Sequence, residues 1–216
     1  MKLYSVNLSP FAARARMAIY AKGLDVEIAP PPADTKSAEY LAINPLGKIP
    51  CLDTGEARIP ESETIIEYLE DKFPAPSLRG GTPEETARMR LIARAMELYV
   101  GPHMGVLFGQ LNPAVRDETK ATEALTKTEE GLDHLEGLLT EGGYAVGDRL
   151  SQADCSIAPM TFFLPMIGGA LGRDLMANRP RLTAYVAKLQ GDPVWQKVQA
   201  EMMKGLQIMQ TTGRPG

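Results

Sequence analysis

The stretch KLYSVNLSPFAARARMAIYAKG, at residues 2–23, predicts a short strand followed by a helix. Apolar and polar residues partly alternate over residues 2–8, as in a half-buried strand. Ser9 and Pro10 then supply an N-cap residue and a proline at the first helical position, two signals of a helix start. Apolar residues follow at helical spacing until Gly23, which is typical of a helix end.

The following residues extend this strand–helix unit into a small α/β domain. We expect a second strand at residues 24–29, a short helix at 37–43 and a hairpin formed by residues 48–53 and 57–60. Ser62 is expected to cap a further helix whose apolar residues recur at helical spacing. The order β-α-β-(α)-β-β-α is typical of a thioredoxin-like domain.

The remainder of the chain has only helical signals. Residues 74–81 are rich in proline and glycine and are expected to be a linker. A capping sequence begins at Thr82, and a second one, Ser151 to Asp154, opens an apolar helix. The sequence therefore predicts an α/β thioredoxin-like domain at residues 1–79 and an all-α domain at residues 82–216.

Composition excludes several kinds of function. The net charge of −4 is spread evenly along the chain, so no basic segment suits nucleic acid or an anionic membrane. Cys51 and Cys155 form no disulfide framework, which favours a reducing, cytoplasmic location. The apolar run at residues 157–171 contains prolines and is shorter than a membrane span, so it indicates a buried helix. His103 and His134 are too few for a typical zinc site, so we expect no metal.

The first candidate site is the junction at Ser9-Pro10-Phe11-Ala12. A redox-active thioredoxin-like domain has two cysteines here, and their positions are filled by Ser9 and Ala12, so dithiol chemistry is excluded. A hydroxyl at a helix N-terminus remains, and this place suits an anion such as a thiolate. The alternative is that Ser9 is only an N-cap residue.

Two further sites follow in the same domain. Pro50 begins a strand after a turn and is a candidate for a cis bond, which would expose the main chain of Ile49 to an extended peptide. The alternative is a trans proline on an edge strand. Glu61 and Ser62 stand at a helix start, where they could bind the ammonium and the carboxylate of an amino acid. The alternative is ordinary helix capping.

Together these sites resemble those of the cytosolic glutathione transferase family. The matching strings are SPFxxRxR at residues 9–16, NPLGKIP at residues 44–50 and ESxxIxxYL at residues 61–69. A weaker match, GDxLSxAD at residues 147–154, resembles the family's buried capping box. The first string resembles the serine-type tau class, and also the omega class with its cysteine replaced by serine. The S-S-C run of the zeta class is absent, and no class is assigned.

The resemblance implies a catalytic role for Ser9, whose hydroxyl would donate a hydrogen bond to the sulfur of glutathione. Lys36 and Lys48 would pair with its glycine carboxylate, and the main chain of Ile49 with its cysteinyl unit. Arg14 and Arg16 are expected to support the first helix or to be solvated, rather than to touch the ligand. The glutathione-binding residues implied by the resemblance are Phe11, Lys36, Lys48, Ile49, Pro50, Glu61 and Ser62.

The resemblance also implies that the helical domain forms a pocket for an electrophile. Apolar residues at helical spacing are the candidates, although a plain helix-bundle core is the alternative for each: Met104, Leu107, Phe108, Leu111, Phe162, Phe163 and Met166. The implied function is a detoxifying glutathione transferase, a cytoplasmic homodimer that attacks small hydrophobic electrophiles with the thiolate of glutathione. Two alternatives stay open: a glutathione-dependent isomerase or ether-cleaving lyase on the same scaffold, and a non-catalytic ligand-binding protein.

Overall fold

The computed structural model describes residues 1–213, and its contacts divide the chain into two units. Unit 1 contains Met1–Leu78 together with the chain from Asp192 onward, and unit 2 is Arg79–Gly191. The last helix therefore groups with the N-terminal residues by its contacts, although it follows the helical unit in sequence. Of the domain predicted at residues 82–216, residues 214–216 lie outside the described part of the chain. The boundaries 1–79 and 82–216 stay predictions.

Unit 1 is built on a four-stranded mixed sheet. Its strands, in sequence order, are β1 at Lys2–Tyr4, β2 at Glu27–Ala29, β3 at Cys51–Asp53 and β4 at Arg58–Pro60. The spatial order is β2-β1-β3-β4, with β1 parallel to β2 and the other pairs antiparallel. Leu3 lies in the centre of the sheet, opposite Ile28 on one side and Leu52 on the other.

The strands are shorter than the sequence predicts. β1 ends at Tyr4 because the carbonyls of Val6 and Asn7 accept hydrogen bonds from the side chain of Arg16 instead of from a neighbouring strand. β3 begins only at Cys51, since the Lys48 carbonyl is taken up by side chains of the preceding segment.

Four described helices complete unit 1. They are α1 at Pro10–Ala21, α2 at Ala38–Leu41, α3 at Ser62–Lys72 and, after the helices of unit 2, α10 at Pro193–Thr212. α1 packs against α3 and α10, and its residues 12–19 are all buried. At its C-terminal end the buried Lys22 ammonium donates to the carbonyls of Phe73 and Pro76, each at 2.7 Å, and pairs with Glu70. These bonds join the end of α1 to the segment that follows α3.

Unit 2 contains only helices among its described residues, as predicted. They are α4 at Pro83–Ala95, α5 at Gly101–Phe108, α6 at Glu118–Leu138, α7 at Gln152–Thr161, α8 at Leu164–Leu171 and α9 at Pro180–Leu189. A single π-helical turn, Met96–Val100, joins α4 to α5. α6 approaches this turn so closely that a Cβ at Gly131 would overlap the Tyr99 carbonyl, so only glycine fits there.

The most apolar part of the chain lies in the core of unit 2. Gln152–Leu171 is long and apolar enough to cross a membrane by length and composition alone, but 67% of its most apolar window is buried inside the structure. All ten residues of α7 are buried, and this helix ends at Thr161 before α8 begins at Leu164. This confirms the buried helix that the sequence predicts for the apolar run.

A buried capping box fixes the start of α7. The carboxylate of Asp154 accepts hydrogen bonds from the Ser151 amide at 2.8 Å, the Ser151 hydroxyl at 2.6 Å and the Ala145 amide at 2.8 Å. Burial raises the pKa of Asp154 to about 6, even though these three donors favour the ionised form. The carboxylate therefore organises the loop before α7 and also carries a desolvation cost.

Removing this carboxylate should destabilise the protein strongly. In Asp154→Ala three buried donors lose their acceptor, and we expect the free energy of unfolding to fall by about 3–5 kcal/mol. Urea denaturation measures the loss, with Asp148→Ala as the control because Asp148 is exposed in the same loop. A loss no larger than that of the control would show that the capping box does not hold unit 2 together.

The raised pKa of Asp154 also predicts how stability depends on pH. Folding favours protonation of the Asp154 carboxyl, because the pKa of this group is about 6 in the folded state and about 3.9 in the unfolded chain. The contribution of protonated Asp154 to the free energy of unfolding is thus complete below about pH 4, and it is lost as pH rises through about 6. We expect the unfolding free energy of the wild type, relative to Asp154→Asn, to rise by about 1–2 kcal/mol from pH 7 to pH 5. Parallel pH profiles for the two proteins would contradict this.

Candidate functional site

A cleft in unit 1 gathers most of the residues that the sequence singles out. It is lined by one residue from the first turn of α1, by the segment before β3 and by the start of α3: Phe11, Asn44, Lys48, Ile49, Pro50, Glu61 and Ser62. Six of these are predicted glutathione-binding residues. Asn44 belongs to the NPLGKIP string, but the sequence predicts no role for it. Ser9 and Lys36 are not among the lining residues.

The segment from Asn44 to Lys48 is shaped by a buried side chain. The amide group of Asn44 donates to the Lys48 carbonyl at 2.7 Å, and its oxygen accepts from the Leu46 amide at 3.0 Å. The Tyr40 hydroxyl donates to the same Lys48 carbonyl at 2.9 Å. Burial raises the pKa of Tyr40 to about 12, so its hydroxyl stays protonated as a donor. The loop therefore presents Lys48 and Ile49 at a fixed place.

Lys36 contacts this loop. Its ammonium donates to the Gly47 carbonyl at 2.8 Å and, more weakly, to the Leu46 carbonyl at 3.5 Å. Gly47 has a φ of +58°, and a Cβ there would lie 2.9 Å from the Thr35 carbonyl oxygen and 3.0 Å from the Lys36 nitrogen. Only glycine suits both the backbone conformation and the space.

The predicted cis bond is present in the structure. The Ile49–Pro50 peptide bond is cis, and Pro50 is buried where the chain enters β3. Ile49 is half-buried beside it and lines the cleft. The interpretation of Pro50 as a trans edge proline was therefore wrong.

The start of α3 differs from the prediction in one respect. Ser62 is the first helical residue and is buried, whereas Glu61 occupies the N-cap position, so the expectation that Ser62 caps the helix was wrong. Glu61 has a φ of 69°, which is uncommon for a residue with a side chain and costs about 1–3 kcal/mol. Such conformations cluster at binding sites. The exposed Glu61 carboxylate thus stands at a helix N-terminus that lines the cleft.

Ser9 is the N-cap residue of α1, as the sequence predicts. Its hydroxyl oxygen accepts a hydrogen bond from the Ala12 amide at 3.2 Å. A serine hydroxyl carries one proton and two lone pairs, so this bond leaves the proton available for a second partner. Capping the helix and donating to a ligand are therefore compatible.

Two residues after Ser9, Phe11 lines the cleft and is 43% exposed. The guanidinium of Arg14 lies 5.1 Å from the centre of the Phe11 ring and 3.3 Å from the Glu63 carboxylate. Arg14 and Arg16 are both fully buried. They support the first helix, as expected.

The seven predicted pocket residues in unit 2 fall into two groups. Met104, Leu107 and Phe163 are buried, and the others are partly exposed: Phe108, Leu111, Phe162 and Met166. The Phe163 ring meets those of Phe108 and Phe162 edge to face, each at a centroid distance of 5.0 Å. This aromatic cluster is a stable apolar surface within unit 2.

No group of three or more histidine, cysteine, aspartate or glutamate side chains could hold a metal ion within residues 1–213. The cleft instead offers an ammonium at Lys48, a carboxylate at Glu61 and a helix N-terminus at Ser62. Such a set of opposite charges and backbone donors suits a ligand that carries both a carboxylate and an ammonium.

Comparison with known proteins agrees with this geometry. The family model described as "Glutathione S-transferase, N-terminal domain" matches residues 3–77, and that described as "Glutathione S-transferase, C-terminal domain" matches residues 113–188. The maleylacetoacetate isomerase of Pseudomonas aeruginosa is 33% identical over 79% of this chain and 84% of its own length. The glutathione S-transferase Z2 of Arabidopsis thaliana is 36% identical over 74% of each chain.

The fold is similar to that of a solved bacterial relative. The holo structure of maleyl pyruvate isomerase, a bacterial glutathione S-transferase of the zeta class, covers 93% of this chain with a TM-score of 0.77 and 25% identity. That match also spans 98% of the solved chain. The family models, the relatives and the shared fold all agree, and this chain belongs to the glutathione S-transferase family.

Proposed function

We propose that this protein is a glutathione transferase that binds glutathione in the cleft of unit 1 and uses its thiolate to attack small hydrophobic electrophiles. The observation that carries the proposal is the gathering of six predicted glutathione-binding residues in one cleft. We further propose residues 1–79 as the glutathione-binding domain and residues 82–216 as the domain that supplies the electrophile pocket. The aromatic cluster around Phe163 supports an apolar second substrate.

Each end of glutathione has a partner of suitable charge in this proposal. The exposed Lys48 ammonium pairs with the glycine carboxylate, and the third N–H of Lys36 is available for the same group. The main chain of Ile49 holds the cysteinyl unit. Glu61 binds the γ-glutamyl ammonium, while Ser62 and the first amides of α3 bind its carboxylate. Phe11 and Pro50 supply apolar contacts in the cleft.

Ser9 is proposed to donate its free proton to the sulfur of glutathione, next to the positive end of α1. Lowering the thiol pKa by about 2 units requires about 2.7 kcal/mol of preference for the thiolate, which one charge-assisted hydrogen bond and a helix end can supply. The thiolate fraction at pH 7 would rise about 25-fold, but the intrinsic nucleophilicity would fall about 8-fold. The net gain is only about 3-fold, so most of the acceleration comes from holding both reactants together.

This mechanism predicts a specific loss in Ser9→Ala. Without a donor to the thiolate, the thiol pKa returns towards its free value, and we expect kcat with an aryl halide at pH 7 to fall by about 3-fold relative to the wild type. The matched control is Thr82→Ala, because Thr82 also caps a helix through its side chain and lies in unit 2. Both variants lose a capping bond, so a loss of activity equal to that of the control would remove Ser9 from the mechanism.

The binding role of Lys48 is tested by calorimetry. Replacing its ammonium in Lys48→Met removes a charge-assisted contact, so we expect Kd for glutathione to rise by about 10-fold. Lys72→Met is the control, since Lys72 is an exposed lysine at the far end of α3. If both variants bind glutathione as the wild type does, the cleft does not hold the glycine carboxylate through Lys48.

A glutathione-dependent isomerase is the second candidate, and the similarity to a maleylacetoacetate isomerase favours it. An isomerase would use the same glutathione residues and differ only in the pocket for the second substrate. Assays of maleylpyruvate isomerisation beside aryl-halide conjugation separate the two activities. Isomerisation without conjugation would replace the first proposal by the second.

The family supports the parts of the proposal that concern location, assembly and co-substrate. We propose a cytoplasmic protein that assembles as a homodimer, with glutathione as co-substrate and no metal. Light scattering on the purified chain measures the assembly. Binding of glutathione without turnover of any electrophile would instead favour a non-catalytic binding protein.

A further inference from the structure

The guanidinium of Arg16 organises the loop that leads into Ser9. One terminal nitrogen donates to the Ser5 hydroxyl at 2.7 Å and to the Val6 carbonyl at 3.1 Å, and the other donates to the Asn7 carbonyl at 2.7 Å. A single side chain thus holds three consecutive residues between β1 and α1. Arg16 itself is fully buried, so the guanidinium is shielded from solvent.

The charge of Arg16 is compensated by a residue from the last helix of unit 1. The Glu201 carboxylate lies 2.9 Å from the inner nitrogen of the guanidinium. Its other oxygen accepts a hydrogen bond from the Tyr20 hydroxyl at 2.7 Å. Burial disfavours the charged form of Arg16, and Glu201 opposes this effect. The Arg16 cation therefore depends on α10 for its counter-charge.

A continuous set of short contacts connects Glu201 to Ser9. The Val6 carbonyl, which accepts from Arg16, also accepts from the Ser9 amide at 3.1 Å. α10 also lies directly against this loop, because a Cβ at Gly205 would be 2.7 Å from the Leu8 amide nitrogen. The main chain of Ser9 is therefore held by a carbonyl whose position depends on the Glu201–Arg16 pair.

We propose that Glu201 is a positioning residue for Ser9, acting through Arg16. The inference rests on the proposed function, in which the Ser9 hydroxyl must meet the glutathione sulfur within hydrogen-bond reach. A displaced hydroxyl would lose its hydrogen bond to the thiolate, so the rate would fall by up to the contribution of Ser9 itself. Glu201 itself touches neither substrate; it keeps the loop of residues 5–8 in the arrangement that aims Ser9.

The opposite end of α1 offers a matched control, which is a buried ion pair that does not contact the loop before Ser9. Lys22 and Glu70 form another buried pair with α1, but it holds the segment at Phe73 and Pro76 rather than the loop before Ser9. Both Glu70→Gln and Glu201→Gln remove one carboxylate charge from a buried cation. They differ in which end of α1 is released.

The experiment combines amide hydrogen exchange with steady-state kinetics. In Glu201→Gln we expect exchange at residues 5–9 to be at least tenfold faster than in the wild type, because the opening free energy of this loop falls. With an aryl halide, kcat should be about two- to threefold lower, which is the limit set by the contribution of Ser9, while KM for glutathione is unchanged because the cleft residues are untouched. Glu201→Asp, which keeps the charge, should give intermediate values of both.

Glu70→Gln should keep the wild-type exchange at residues 5–9 and the wild-type kcat, even if it unfolds at lower urea concentration. Unchanged exchange in Glu201→Gln, or equal effects on that loop in Glu70→Gln, would overturn the positioning role. If Glu201→Gln does not fold, Glu201→Asp decides by the same two measurements. A wild type that does not bind glutathione would overturn the proposed function alone, because the exchange result is obtained without any ligand.

Discussion

Two buried cations, Arg16 on α1 and Lys22 directly after it, impose the constraint on which unit 1 depends. Arg16 and Lys22 are shielded from water, and a buried charge without a partner costs several kcal/mol. Arg16 requires the loop after β1 and the carboxylate of Glu201, and Lys22 requires the segment after α3 and Glu70. The elements that surround α1 are therefore set by charge compensation as well as by apolar packing.

The cleft takes its lining from segments that are fixed by other contacts. Asn44 and Tyr40 hold the carbonyl of Lys48, and Arg14 lies against the ring of Phe11. Asn44 lines the cleft as well, whereas the exposed side chains of Lys48 and Glu61 take no part in these supporting contacts and remain available to a ligand. This separation between supporting and contacting residues is what a rigid binding site requires.

The sequence predicts those parts of the structure that are set by local chemistry. The helix starts at Ser9-Pro10 and at Ser151 are correct, because a capping residue acts within three positions. The strand ends were wrong, since the side chains of Arg16, Tyr40 and Asn44 take up the carbonyls of Val6 and Lys48. The alternation of apolar and polar residues does not signal such competition.

The same distinction applies to the candidate site. Its residue types were predicted from motifs, but the positive φ at Glu61 was not, because only glycine gives a clear sign of that conformation in a sequence. The contact between Glu201 and Arg16 joins residues at opposite ends of the chain, and no periodicity connects them. Three-dimensional structure was needed to find it.

The discontinuous make-up of unit 1 has a consequence for how the chain is made. Its last helix is synthesised after the whole of unit 2, so the ribosome releases Glu201, the partner of Arg16, only once unit 2 has been made. Until then α10 cannot pack against α1, so the nascent protein carries its first helix without these contacts and without the counter-charge of Arg16.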